Sequence, residues 1–181
     1  MELNKVFSLL KVQGQISRDL QGSKVKYLSD KLGNCTEYEL KVEVLEYKGM
    51  TVRVIANRDY PDEFHVVTLG ENKRKGLSVS ERRAVKSVVQ QMPSEFFKSL
   101  GCERKYGYIE RGYMFDYSGA TVKFYSLIYE NGEYVREDEV IAEIEEYVPV
   151  VKQTNKAIAK LKAIAAEVLD GVQLYIDDQG R

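Results

Sequence analysis

Residues 36–47 read TEYELKVEVLEY, and their alternation decides the fold class. Tyr38, Leu40, Val42 and Val44 interleave with Glu37, Glu39, Lys41 and Glu43. A period of two is the signature of a β-strand, and it sends the two sets to opposite faces. One apolar and one charged face describe an antiparallel sheet with a single core side. YKGM (47–50) turns the chain into TVRVIANR (51–58), the partner of a hairpin, and EFHVVTLG (63–70) is a third β-branched run closed by a glycine.

Outward from this hairpin the pattern repeats with helices between. KVFSLLKVQGQI (5–16) reads as a first strand, closed by Gly14. Val25, Leu28 and Leu32 recur at three- and four-residue intervals, predicting a helix over about 23–33 with Gly33 as its stop. Central helices are expected over about 80–100. Ser80 serves as N-cap, Ala84, Val85, Val88, Val89 and Met92 as the apolar stripe, and Pro93 as the end; Ser94 then caps a short second helix before Gly101. Long tyrosine-rich strands follow at 104–117 and 121–130, separated by a Ser118-Gly119 turn. After an Asn131-Gly132 turn signal comes EVIAEIEEYV (139–148). A final helix is expected over about 154–170, from Thr154, with Ile158, Leu161, Ala165, Val168 and Leu169 facing the core, and VQLYI (172–176) as a closing strand. No repeat, low-complexity tract or linker interrupts the pattern. The expectation is one α+β domain over 1–181, an antiparallel β-barrel of about eight strands with packed helices.

The bulk composition removes several function classes. The 181 residues carry 27 lysines and arginines against 28 aspartates and glutamates. Non-specific nucleic-acid binding needs a net basic surface, so it is not expected. No apolar run reaches the ~20 residues that span a bilayer, and the opening MELNKVFSLLKVQG lacks signal-peptide features. The two cysteines, Cys35 and Cys102, stand apart, which suits a reducing compartment, cytosol or nucleus. His65 is the single histidine and lies in a strand pattern, so neither a histidine-rich metal cluster nor a catalytic triad is indicated. No glycine-rich phosphate loop follows a strand. The 13 tyrosines and 6 phenylalanines suit half-buried barrel positions and protein interfaces alike.

One constellation points toward chemistry. Glu37, Glu39 and Lys41 resemble the Glu-x-Glu-x-Lys strand of the triphosphate-tunnel metalloenzymes. Glu143 and Glu145 form a second alternating carboxylate pair, and Arg53 and Lys123 lie on predicted strands. In such an enzyme the four glutamates would hold magnesium or manganese through hard oxygen ligands, while Lys41, Arg53 and Lys123 would meet phosphate oxygens. Against it, Glu43 extends the alternation as a solvated face does, and no predicted strand carries a dense alternating set of arginines and lysines.

A second resemblance spans nearly the whole chain. Residues 94–129, SEFFKSLGCERKYGYIERGYMFDYSGATVKFYSLIY, resemble the Mediator complex subunit 18 family in a helix ending at Leu100-Gly101, then Arg111-Gly112, Phe115, Gly119 and the strand 122–129. LLKVQGQI, FHVVTLG, EVIAEIEEYVPV, the helix near 154–169 and VQLYID continue the family's order, with shorter loops and with Cys102 at a position where a larger apolar residue is expected. The resemblance implies a barrel related to that of the RNA triphosphatases but acting as a scaffold, with no catalytic residue, no cofactor and no metal. It implies a nuclear subunit of the Mediator head module that links regulators to RNA polymerase II. Its implied partners are Mediator subunit 20, in a heterodimer, and the C-terminal helix of Mediator subunit 8, docked as an amphipathic helix. The alternative from another class is a metal-dependent tunnel triphosphatase.

Overall fold

The computed structural model describes residues 5–72, 79–91, 93–149, 154–172 and 174–175. In chain order it comprises β1 (Lys5–Ser17), α1 (Arg18–Leu32), β2 (Cys35–Tyr47), β3 (Met50–Asn57), β4 (Tyr60–Asn72) and β5 (Ser80–Val89). Then follow α2 (Ser94–Ser99), β6 (Glu103–Tyr117), β7 (Ala120–Tyr129), β8 (Glu139–Pro149), α3 (Thr154–Val168) and β9 (Leu174–Tyr175). The strands pair antiparallel in the order β5-β4-β3-β2-β6-β7-β8-β1, and β5 also pairs with β1. That last pairing closes an eight-stranded barrel, and the short β9 continues the seam along β1.

Local chemistry explains the tight connections. The β2–β3 turn places Lys48 and Gly49 at φ 47° and 79°, and the β6–β7 turn places Ser118 and Gly119 at 55° and 81°. Two successive positive φ values match the right-handed twist of the strands they join. Helix α1 starts at Arg18, earlier than the expected 23, because the Ser17 hydroxyl accepts the Leu20 N–H. Gly22 does not break it; its Cα faces open space.

Residues 80–89 are the main departure from the expected order. They form β5, hydrogen-bonded on both edges to β4 and β1, and the central helix shrinks to Ser94–Ser99. Ala84, Val85, Val88 and Val89 fit a helical stripe and a strand equally, and the valines' β-branched side chains favour the strand once two edges wait for it. Ser80 is not a cap; its hydroxyl donates to the Lys11 carbonyl at 3.4 Å. Met92, the last residue of the expected stripe, lies outside the described residues.

The helices form an outer layer. Leu10, Val12 and Ile16 of β1, Val122 and Phe124 of β7, and Val140, Ala142 and Ile144 of β8 pack outward in one cluster with Leu28 of α1 and Leu161, Ile164 and Val168 of α3. Glu167 of α3 accepts hydrogen bonds from Tyr27 and Lys31 of α1 and from Tyr117 of β6. Those bonds hold its carboxyl down at about 2. Leu161 is fully buried, whereas Ile158 is only half-buried at the edge. Replacing Leu161 with alanine is expected to cost about 2–5 kcal/mol, the range for a cavity left in a packed cluster. Urea denaturation checks it, and an unchanged midpoint would contradict the packing.

Candidate functional site

Strand parity turns this outer layer into a statement about the interior. Because Leu10, Val12 and Ile16 face the helices, Leu9, Lys11 and Gln13 face inward. By the same rule Glu143, Glu145 and Tyr147 of β8 point in, as do Lys123 and Tyr125 of β7. On the other wall, Arg53 lies opposite Val44 and Val67, inside the barrel, and Ser80, Arg82, Ala84 and Lys86 share the inner face of β5. Leu9, Lys11, Arg53, Leu69, Ser80 and Arg82 line a cavity there.

Glu143 is the hub, with 3% of its side chain exposed. Lys11 Nζ lies 2.8 Å from its Oε2, Lys123 Nζ lies 3.5 Å from Oε1, and the Tyr125 hydroxyl donates to Oε2 at 3.0 Å. Lys123 also pairs with Glu145 at 2.6 Å. Burial pushes the Glu143 carboxyl up, but the ammonium groups of Lys11 and Lys123 outweigh it and hold the carboxyl well below the usual range. Burial disfavours the charged form of Lys123 as well, yet Glu145 and Glu143 raise its pKa well above normal. Glu110 shows the opposite balance: burial raises its carboxyl, with Lys123 opposing. Tyr38 and Tyr125 are raised by burial, with Glu110 and Glu143 respectively adding to it.

The residues singled out in the sequence divide between two surfaces. Arg53, Lys123, Glu143 and Glu145 converge inside. Glu37, Glu39 and Lys41 do not join them, because Tyr38 is the residue of that strand that points inward. Glu37 is exposed on the outer wall. Glu39 takes Arg111 at 2.6 Å, and Lys41 lies 3.9 Å from Glu130 with 65% of its side chain exposed. The grouping of both acid pairs around one metal is therefore corrected: a strand wall separates them. Among the described residues no set of His, Cys, Asp and Glu is grouped to hold a metal ion.

The sequence reading also missed inner cations. Lys11, Arg82 and Lys86 sit on inner faces, with Lys86 Nζ 5.2 Å from the Tyr147 ring centre. The sparse basic lining expected from single strands is thus denser in the barrel, since several strands each contribute one or two groups. The signal was present in KVFSLLKVQ, where Lys11 interrupts an apolar run; Arg82 and Lys86 were hidden by the helical reading of residues 80–92.

No protein-family model and no curated protein matches the sequence. Among solved structures, a chain of the Schizosaccharomyces pombe Mediator head module superposes with a TM-score of 0.77 at 17% identity, covering 92% of this chain and 97% of that one. A conserved hypothetical protein from Pyrococcus furiosus follows at 0.65 and 12% identity, covering 91% and 94%. A candidate adenylate cyclase from Vibrio parahaemolyticus gives 0.61 at 10%, covering 92% and 90%. At these identities the likeness is one of fold.

The Glu143 hub predicts an acid-sensitive stability. Its folded pKa is depressed, so its stabilisation is complete above the unfolded value of about 4.3 and is lost as pH falls below it. Glu143→Gln is expected to cost about 3–5 kcal/mol at neutral pH, the range for breaking a buried ion pair. That gap should narrow below about pH 4, where the Glu143 carboxyl of the unfolded wild-type chain takes up a proton that the folded protein does not. Glu110 runs the other way, and the Glu143 charge adds to its rise, so removing that charge eases Glu110 in the variant and offsets part of the cost at neutral pH. Denaturation across pH checks this, and a gap constant with pH would contradict the role of Glu143.

Proposed function

We propose that the chain is a non-enzymatic subunit of a Mediator head module, acting as its subunit 18. The observation that carries this reading is the mutual coverage with the fission-yeast head-module chain, 92% and 97%, at a TM-score of 0.77. Added to it is the ordered sequence resemblance from the first strand to the last, including Leu100-Gly101 and Arg111-Gly112. The charge layout supports a scaffold over a tunnel triphosphatase. One acid pair lies outside, and the inner pair is engaged by Lys11 and Lys123.

In this role the partners are Mediator subunit 20 and the C-terminal helix of Mediator subunit 8, with RNA polymerase II reached through the assembled module in the nucleus. Large apolar side chains available for such contacts include Phe96, Leu100, Met50 and Tyr60, all exposed. No helix of the described residues is long and apolar enough to cross a membrane.

Co-expression with subunit 20 and the subunit 8 helix from the same organism is expected to give a stoichiometric complex by size-exclusion chromatography. Its melting point should lie above that of the chain alone, because a partner that binds only the folded state stabilises it. A chain that elutes alone as a monomer, with a melting point indifferent to both partners, would contradict the assignment. The enzyme alternative has its own test. Incubation with tripolyphosphate or triphosphate-ended RNA and manganese or magnesium should release no phosphate. Robust metal-dependent turnover would overturn the scaffold reading.

A further inference from the structure

The outer wall of the barrel comes in three kinds. Over β1, β7 and β8 it is apolar and covered by α1 and α3. Over β2 and β6 it is charged, with Glu39 paired to Arg111 and Glu43 to Arg104. Over β4 and β5 it is neither. Val66 packs outward with Leu45 and Phe97, whereas Val67 and Leu69 meet Leu9 and Ala84 inside, so Phe64, Val66, Thr68 and Gly70 are the outer residues of β4. Register then places Val85, Ser87 and Val89 beside them on β5, with Val6 of β1 opposite Val85. No charged side chain breaks the outer face of β5 between Arg83 and Val89, or that of β4 between Phe64 and Gly70. A sheet face left to water normally carries alternating polar residues.

Thr68, Val85 and Ser87 are half-buried on this face and Val6 is exposed. Helix α2 shields only its far side, where Phe97 joins the cluster of Val52, Val54 and Val66, with Phe64 and Val89 at the edge. The opposite flank of α2 holds Phe96 and Leu100 out to solvent, 61% and 55% exposed. The chain therefore presents an apolar ridge beside an uncharged floor. Such a floor has no sign by which to select a charged partner, and two copies meet across it without like-charge repulsion. A twofold axis between ridge and floor sets the ridge of each copy on the floor of the other, the self-complementary geometry of an isologous dimer. The floor takes in three strands ~4.8 Å apart over about seven residues of ~3.4 Å each, roughly 350 Å². With the ridges added, two copies bury about 1,000 Å² in total, the lower limit of a specific interface, so the pairing is reversible.

We infer that two copies of this chain pair through this wall, the Phe96 and Leu100 ridge of each seated on the Val6, Thr68 and Val85 floor of the other. The second copy supplies the cover that α1 and α3 supply on the opposite side of the barrel. The inference goes beyond the assembly role and does not rest on it, since it concerns the chain without other partners.

The test is sedimentation velocity of the full-length chain alone across a wide range of concentration. The mass should rise from one chain to two and stop there. Phe96→Glu and Val85→Arg should each hold the protein as a monomer throughout, with circular dichroism unchanged because both residues lie on the outer surface. An equimolar mixture of the two variants should dimerise again. That heterodimer keeps one native ridge-on-floor contact and sets the introduced carboxylate against the introduced guanidinium at the other. Lys41→Met, on the charged wall, should associate as the wild type does. Should Val85→Arg not fold, Thr68→Arg takes its place on the same floor, alone and in the mixture. A monomer at every concentration, growth past the dimer, full dimerisation of either folded variant, or a mixture that stays monomeric would each overturn the proposal.

Discussion

The outer faces of β1, β7 and β8 are apolar and must be covered, and every other feature of the barrel follows from how that is done. Helices α1 and α3 supply the cover, with Leu28, Leu161, Ile164 and Val168 packed on Leu10, Val12, Phe124 and Ile144. Fully burying side chains of this size stabilises by roughly 1.5–3 kcal/mol each, enough in aggregate to dictate direction. A strand has only two faces, so the alternate residues are committed to the interior whatever their chemistry. Lys11, Lys123, Glu143 and Glu145 are charged, and they are inside for that reason. Their mutual pairing, with Tyr125 as an added donor, offsets the cost of taking them from water.

The same constraint reads differently on the opposite wall, and the contrast bears on function. On β2 the apolar set, Val42 and Val44, turns inward, so Glu37, Glu39 and Lys41 go to solvent and to outer partners such as Arg111. A barrel that combined both acid pairs in one chamber would need the two walls to use the same parity. Here they do not. What remains inside is a compartment of paired charge, Lys11 and Lys123 against Glu143 and Glu145, suited to holding the walls together. The outer surface, with exposed Phe96 and Leu100 at α2, is the part available to protein partners.

The strand at residues 36–47 was legible because its alternation is nearly unbroken, and so were the two hairpin turns, Lys48-Gly49 and Ser118-Gly119. Helix α3 was legible because its apolar stripe holds over several turns. Residues 80–89 were not, since Ala84, Val85, Val88 and Val89 satisfy both periods and only pairing to β1 and β4, distant in sequence, selects one. The inner site was half legible. Arg53, Lys123, Glu143 and Glu145 could be named from alternation, but alternation alone does not say which face is inside. That is a tertiary property, set here by the helices on one wall and by β-to-β contacts on the other.

The closing pair β1–β5 fixes both the barrel and the direction of its charges, so a cross-link at that seam tests the account most directly. In the observed register Val6 lies opposite Val85, with both side chains on the outer face. Opposed residues of an antiparallel pair lie about 4.5–5.5 Å apart at Cα, within reach of a disulfide. Mild oxidation of a Val6→Cys, Val85→Cys variant should yield an intramolecular disulfide in high yield by peptide mapping. The shifted pair Val6→Cys, Ala84→Cys, on opposite faces, should stay reduced. Equal cross-linking of the two pairs, or none in either, would contradict the closure and with it the inward placement of Lys11 and Arg82.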